Sequence, residues 1–132
     1  MANTLYDKGR ESFLKAEISW SADDIKVCLV DTGTYTFSQS HQFHSDLSGI
    51  VATSGNLASK TTTSGVADAA DLTITGVSGS SIEAIIFWKD TGSSATSRLI
   101  AYVDTATGLA FTPSGGDVIL VFDNGSNKIF KL

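Results

Sequence analysis

Three runs in the second half of the chain, SIEAIIFWKD (81–90), SRLIAYVD (97–104) and GDVILVFD (116–123), are apolar at most interior positions, and each stops at an aspartate. A strand exposed on one side alternates apolar with polar residues, so runs that are apolar on nearly both faces belong to central strands packed between layers. The residues after each aspartate are turn formers: DTGSSATS, DTATG and DNGSN. Aspartate bonds to the backbone two residues on and glycine accepts positive φ, so these stretches reverse the chain. The last, Asp123-Asn124-Gly125, is a strong hairpin signal, expected to join VILVF to a closing strand KIFKL. A fourth run, DIKVCLVDTG, alternates Ile25, Val27 and Leu29 against Lys26, Cys28 and Val30 and ends on the same kind of turn.

The remaining segments are weaker. GIVATS reads as a short strand, and NLASKTTTSGVADAADLTITGV as two strands around SGVADA, with Leu72, Ile74 and Val77 facing one side. The stretch TYTFSQSHQFHSDLSG is a polar loop anchored by Phe37, Phe43 and Leu47, with one helical turn at HSDL. The first segment, NTLYDKGRESFLKAEI, is the best helix: Asn3 or Thr4 caps it, and Leu5, Tyr6, Phe13, Leu14 and Ile18 recur near helical spacing. Gly9 weakens that helix by about 1 kcal/mol relative to alanine. Seven or so short strands after one helix predict a mainly β fold, an antiparallel β-sandwich or small barrel with one N-terminal α-helix. The whole chain, 1–132, reads as a single domain with 1–20 as an N-terminal helix or arm.

Composition agrees. Serine and threonine fill 33 of the 132 positions and glycine 12, with one proline, as suits pleated surfaces and frequent turns. Hydrophobic residues make up 42%, enough for a real core. Cys28, the single cysteine, has no internal partner and reads as a small buried hydrophobe. No run approaches the ~18 apolar residues that cross a bilayer, and charges stand where a secretory core would be, so a soluble, intracellularly made protein is expected. A net charge of −5 with scattered basic residues argues against nucleic acid as a partner.

The tripeptide Asp-Thr-Gly occurs twice, at 31–33 and 90–92. Aspartic proteases use this tripeptide, but they require two carboxylates sharing a proton, from two lobes or from a dimer. Lys89 directly precedes Asp90, and the pattern returns as DTATG, so turn chemistry is the better reading. His41, His44 and Asp46 are spaced so that a helical turn would present them together, but a fourth metal ligand is missing. Asp23, Asp24, Asp68 and Asp71 lack the dense oxygen spacing of a calcium loop. GVSGSS lacks the lysine of a phosphate loop, and no GxSxG elbow occurs. No catalytic residue, metal or cofactor is therefore expected. Trp88 alternates with core residues; Trp20, between two serines, is expected to be freer and available to a subunit contact.

The layout as a whole, MANTLYDKGRESFLKAEISW, DDIKVCLVDTGTYTF, SGVADAADLTITGV and ATSRLIAYVDTATGLAFTPSGGDVILVFDNGSNKIFKL, resembles small structural proteins of tailed bacteriophages, most of all capsid decoration (cement) proteins. The resemblance implies a non-enzymatic virion protein on the outer surface of the capsid, made in the host cytoplasm. It implies the major capsid protein as partner and a homotrimer or other homo-oligomer, with no membrane partner. Residues 1–20 and the loop 34–49 hold apolar side chains without a clean internal pattern, which makes Leu5, Tyr6, Phe13, Trp20, Tyr35, Phe37, Phe43 and Leu47 the expected interface. The alternative is a tail, neck or fibre component that meets a host-surface glycan through Trp20, Tyr35, Phe37 and Phe43.

Overall fold

The computed structural model describes residues 3–122 and 128–132. The chain is mainly β and antiparallel, with one N-terminal helix. Its centre is an open five-stranded sheet in the order β1-β7-β6-β2-β3, formed by β1 (Thr4–Leu5), β2 (Ile25–Val30), β3 (Ile50–Thr53), β6 (Ala84–Lys89) and β7 (Leu99–Val103). Two two-stranded ribbons accompany it: β4 (Val66–Ala67) with β9 (Phe130–Lys131), and β5 (Leu72–Ile74) with β8 (Val118–Leu120). The one α-helix among the described residues, α1, spans Asp7–Leu14.

The central strands are central because both of their faces are buried. Cys28 pairs with Ile86 and Val27 with Phe87, so the alternation of β2 and β6 keeps register across the sheet. One face carries Ile25, Val27, Leu29, Phe87 and Ala101; it packs against Ile74, Val77, Ile82, Leu57 and Trp20. The other face carries Cys28, Val30, Ala84, Ile86, Trp88, Leu99 and Tyr102; it packs against Tyr6 and Tyr35, with Phe37 and Leu47 beside them. Cys28 is fully buried, and burial pushes its thiol pKa up to about 12, which fits a small hydrophobe rather than a nucleophile.

Several expectations change. The helix begins at Asp7, not at Asn3, because Thr4 and Leu5 pair with Tyr102 and Ala101 as an edge strand. Asn3 caps no helix: its side-chain oxygen accepts from the amides of Asp104 and Thr105 at 3.0 and 2.9 Å, holding the third aspartate turn. The tip Asp123-Asn124-Gly125 lies outside the described residues, but the strands on its two sides do not pair with each other. β8 pairs with β5 and β9 with β4. VILVF is therefore not a central strand: Ile119 and Val121 are 65% and 71% exposed. Its sequence equals that of β6 or β7 in apolarity; what differs is that β8 sits in an outer ribbon, with one face uncovered.

Candidate functional site

The loop from Asp31 to Gly49 is the segment in which sequence reasoning concentrated its candidates, and the fold lays it over the second face of the sheet. Asp31 opens it. Its Oδ1 accepts from the Gly33 amide at 2.8 Å, and its carbonyl accepts from Thr34 and Tyr35. Glu83 holds the same turn from the neighbouring strand, its Oε1 accepting from the Thr32 amide at 2.9 Å and the Thr32 hydroxyl at 3.1 Å. Hydrogen bonds from Ser81, and then from Thr32, keep the Glu83 carboxyl below its ordinary range.

The second tripeptide repeats the local geometry at a distant place. Asp90 Oδ1 accepts from the Gly92 amide at 2.9 Å, and Oδ2 pairs with Lys26 Nζ at 2.6 Å. That lysine, followed by the Gly92 amide, lowers the pKa of Asp90. β2 and β6 run antiparallel with Ile25 opposite Lys89 and Val30 opposite Ala84, so Asp31 and Asp90 leave opposite ends of the sheet. Six residues at about 3.3 Å each put them roughly 20 Å apart. Within one chain they cannot share a proton, and both work as turn residues. Asp31→Asn should leave thermal stability nearly unchanged, since the amide oxygen accepts the same bond, whereas Asp31→Ala should cost about 1 kcal/mol by denaturant melts.

The histidines are also occupied separately. His41 Nδ1 lies 2.7 Å from the Tyr35 hydroxyl, which lies 2.9 Å from the Tyr6 hydroxyl, giving a polar chain that runs into the core. Burial, then the bond to Tyr35, raises the Tyr6 pKa well above its ordinary value. His44 packs at a tilt against Trp88, with ring centroids 4.3 Å apart. Asp46 Oδ2 accepts from the amides of Gln42 and Phe43 at 2.9 and 3.0 Å, and these bonds hold its pKa down. Among the described residues, no three His, Cys, Asp or Glu side chains gather as a metal site. Asp23 pairs with Lys89 at 3.1 Å, Asp68 with Lys128 at 3.5 Å, and Asp71 accepts from the Phe122 amide.

Burial lowers the His44 pKa, with Asp90 opposing it. The folded chain therefore binds fewer protons at this site than the unfolded chain. Stability should fall as pH drops below about 6.5, the ordinary histidine value, and level off below the lowered value. Thermal midpoints between pH 7.5 and 5 should fall further for the native chain than for His44→Gln; parallel curves would remove His44 as the cause.

The eight expected interface residues lie largely inside the molecule. Tyr6 and Tyr35 are buried on the second face, and Leu5 and Trp20 on the first. Trp20 Nε1 donates to the Asp68 carbonyl at 3.1 Å and its ring meets Phe130 edge-on, so the freedom expected of it is absent. Phe13, Phe37, Phe43 and Leu47 are half-buried. Phe37 packs on Tyr102 with centroids 4.5 Å apart, and the Arg98 guanidinium lies over the Phe43 ring at 5.3 Å. Tyr35, Phe37, Phe43 and Leu47 lack periodicity because a loop, not a regular strand or helix, carries them onto the sheet. Among the described residues, the exposed large apolar ones are Leu14, Ile50, Ile119, Val121 and Leu132.

Sequence reasoning missed Glu83, the hold of Asn3 on the Asp104 turn, and the joining of Tyr6, Tyr35 and His41 into one chain. Each joins residues distant in sequence, and only the lone acid in the otherwise apolar SIEAIIF offered a hint. No protein-family model matches the chain, and no curated protein matches it in sequence.

Proposed function

We propose that the chain is a structural protein of a tailed-phage virion, a capsid decoration protein that binds the major capsid protein across capsomers as a homo-oligomer. The observation that carries this reading is that the side chains best suited to chemistry are each engaged in fastening the fold. Asp31 and Asp90 hold separate turns, His41 and His44 pack on aromatic rings, and Cys28 is sealed in the sheet. A rigid domain of this kind stabilises a shell by mass action: it binds the assembled form and not the dispersed one.

The alternative tail, neck or fibre reading drew on Trp20, Tyr35, Phe37 and Phe43 as glycan contacts. Two of these four, Trp20 and Tyr35, are buried, which weakens that reading. Immunogold labelling of intact virions tests the proposal. Label spread over the head is expected; label confined to the tail tip would overturn it. Deleting residues 1–18 is a poor test of shell binding, because it removes β1, α1 and the buried Tyr6 together.

A further inference from the structure

We infer that the open edge of β8 and the cleft beneath it form a docking site for an extended peptide segment of a partner protein with alternating apolar side chains, added as a further strand. This rests on the cleft alone and is independent of the virion reading.

The cleft has a volume of about 920 Å³ and runs between β8 and the first face of the main sheet. All five consecutive residues from Val118 to Phe122 line it, together with Ile85, Phe87 and Val103 below; Asn3, Asp117 and Lys128 line it too, so its wall is apolar in part and polar in part. Consecutive residues of a strand point alternately to opposite faces, so a cleft lined by all of them lies along the strand's edge. That edge is unpaired: among the described residues, β5 is the one strand bonded to β8. The Phe122 amide donates to Asp71 on the β5 side, so by alternation the amides of Ile119 and Val121 point to the open side.

Three observations choose the occupant. VILVF has the composition of a strand covered on both faces, yet Ile119 and Val121 stand 65% and 71% exposed. Two side chains fall far short of the roughly 800 Å² per partner that a stable dimer buries, so the patch suits a short segment better than a second copy's face. The lined edge is about 16 Å long, enough for about five residues of strand. An added strand would satisfy the free amides, place alternate side chains over Ile85, Phe87 and Val103, and set the others beside Ile119 and Val121. The five residues between 122 and 128, DNGSN, carry no apolar side chain and cannot supply that filling.

The test uses the full chain and two synthetic peptides of one composition, acetyl-KVTVTVK-amide and the block-ordered acetyl-KTTVVVK-amide, whose apolar residues do not alternate. The alternating peptide should bind saturably and slow amide exchange at Ile119 and Val121, and the block peptide should not. Ile119→Pro removes one open-edge donor at a position where proline is tolerated, and should weaken binding about tenfold or more, as for one lost backbone hydrogen bond. Should that variant fail to fold, Ile119→Lys, at a mostly exposed side chain, serves instead and should also weaken binding. Equal binding of both peptides, or binding without slowed exchange at the two amides, would overturn the inference. So would dodecanoate filling the cleft with those amides still exchanging freely, which would make it a lipid pocket. Concentration-dependent self-association that protects the same amides would assign the edge to a second copy and equally overturn it.

Discussion

Replacing Trp88 by alanine is expected to destabilise the protein by about 3–5 kcal/mol, a drop in thermal midpoint of roughly 10–20 °C. Trp88 is buried in the second face of the sheet and carries the His44 ring packed against it, so its loss opens a cavity and frees the loop at once. Its indole nitrogen, however, is buried with no hydrogen-bond partner among the described residues. A buried unsatisfied donor is itself unfavourable by about 1–3 kcal/mol. Trp88→Phe removes that donor while keeping most of the ring, and should cost about 1 kcal/mol or less, the donor offsetting the lost volume. Equal losses for the two variants, measured by urea unfolding, would show that the nitrogen has a partner after all.

Gly9→Ala should also destabilise, by about 1–3 kcal/mol, although alanine is the better helix former by about 1 kcal/mol. The reason is the approach of α1 to the sheet. A β-carbon built at Gly9 would lie 2.8 Å from the Leu99 carbonyl oxygen and 2.9 Å from that of Ile100. Both contacts are backbone atoms of a buried strand, which cannot swing aside as a side chain would. An increase in stability on this substitution would mean that the helix is free to lift. The same close packing ties residues 4–14 to the sheet: the Tyr6 amide donates to the Ile100 carbonyl at 3.0 Å, and α1 follows directly.

The fold class was legible because its signals are local. Runs of β-branched and aromatic residues ending at Asp-Thr-Gly mark β2 and β6 nearly to the residue, and period-2 alternation assigns their faces. The turn role of Asp31 and Asp90 was readable for the same reason, since an aspartate bonding two residues ahead needs nothing from the rest of the chain. What failed depended on pairing. VILVF and IIFW look alike in sequence, and only the choice of partner strand decides which is central. Tyr6, Trp20 and Tyr35 looked like unplaced apolar residues because the elements they fill against lie 48 or more residues away, as with Trp20 and Asp68, or 29 away, as with Tyr6 and Tyr35. Asn3 acts across 101 residues to hold Asp104, a contact that no window along the chain could contain.

The two tryptophans fall on opposite faces of one sheet, Trp20 under the ribbons and Trp88 under the loop. The protein thus carries an intrinsic fluorophore in each half of its interior. With Trp88→Phe, emission reports only the ribbon side; with Trp20→Phe, only the loop side. Comparing the two quenching curves would tell whether the layers come apart together or in sequence, with no external dye attached.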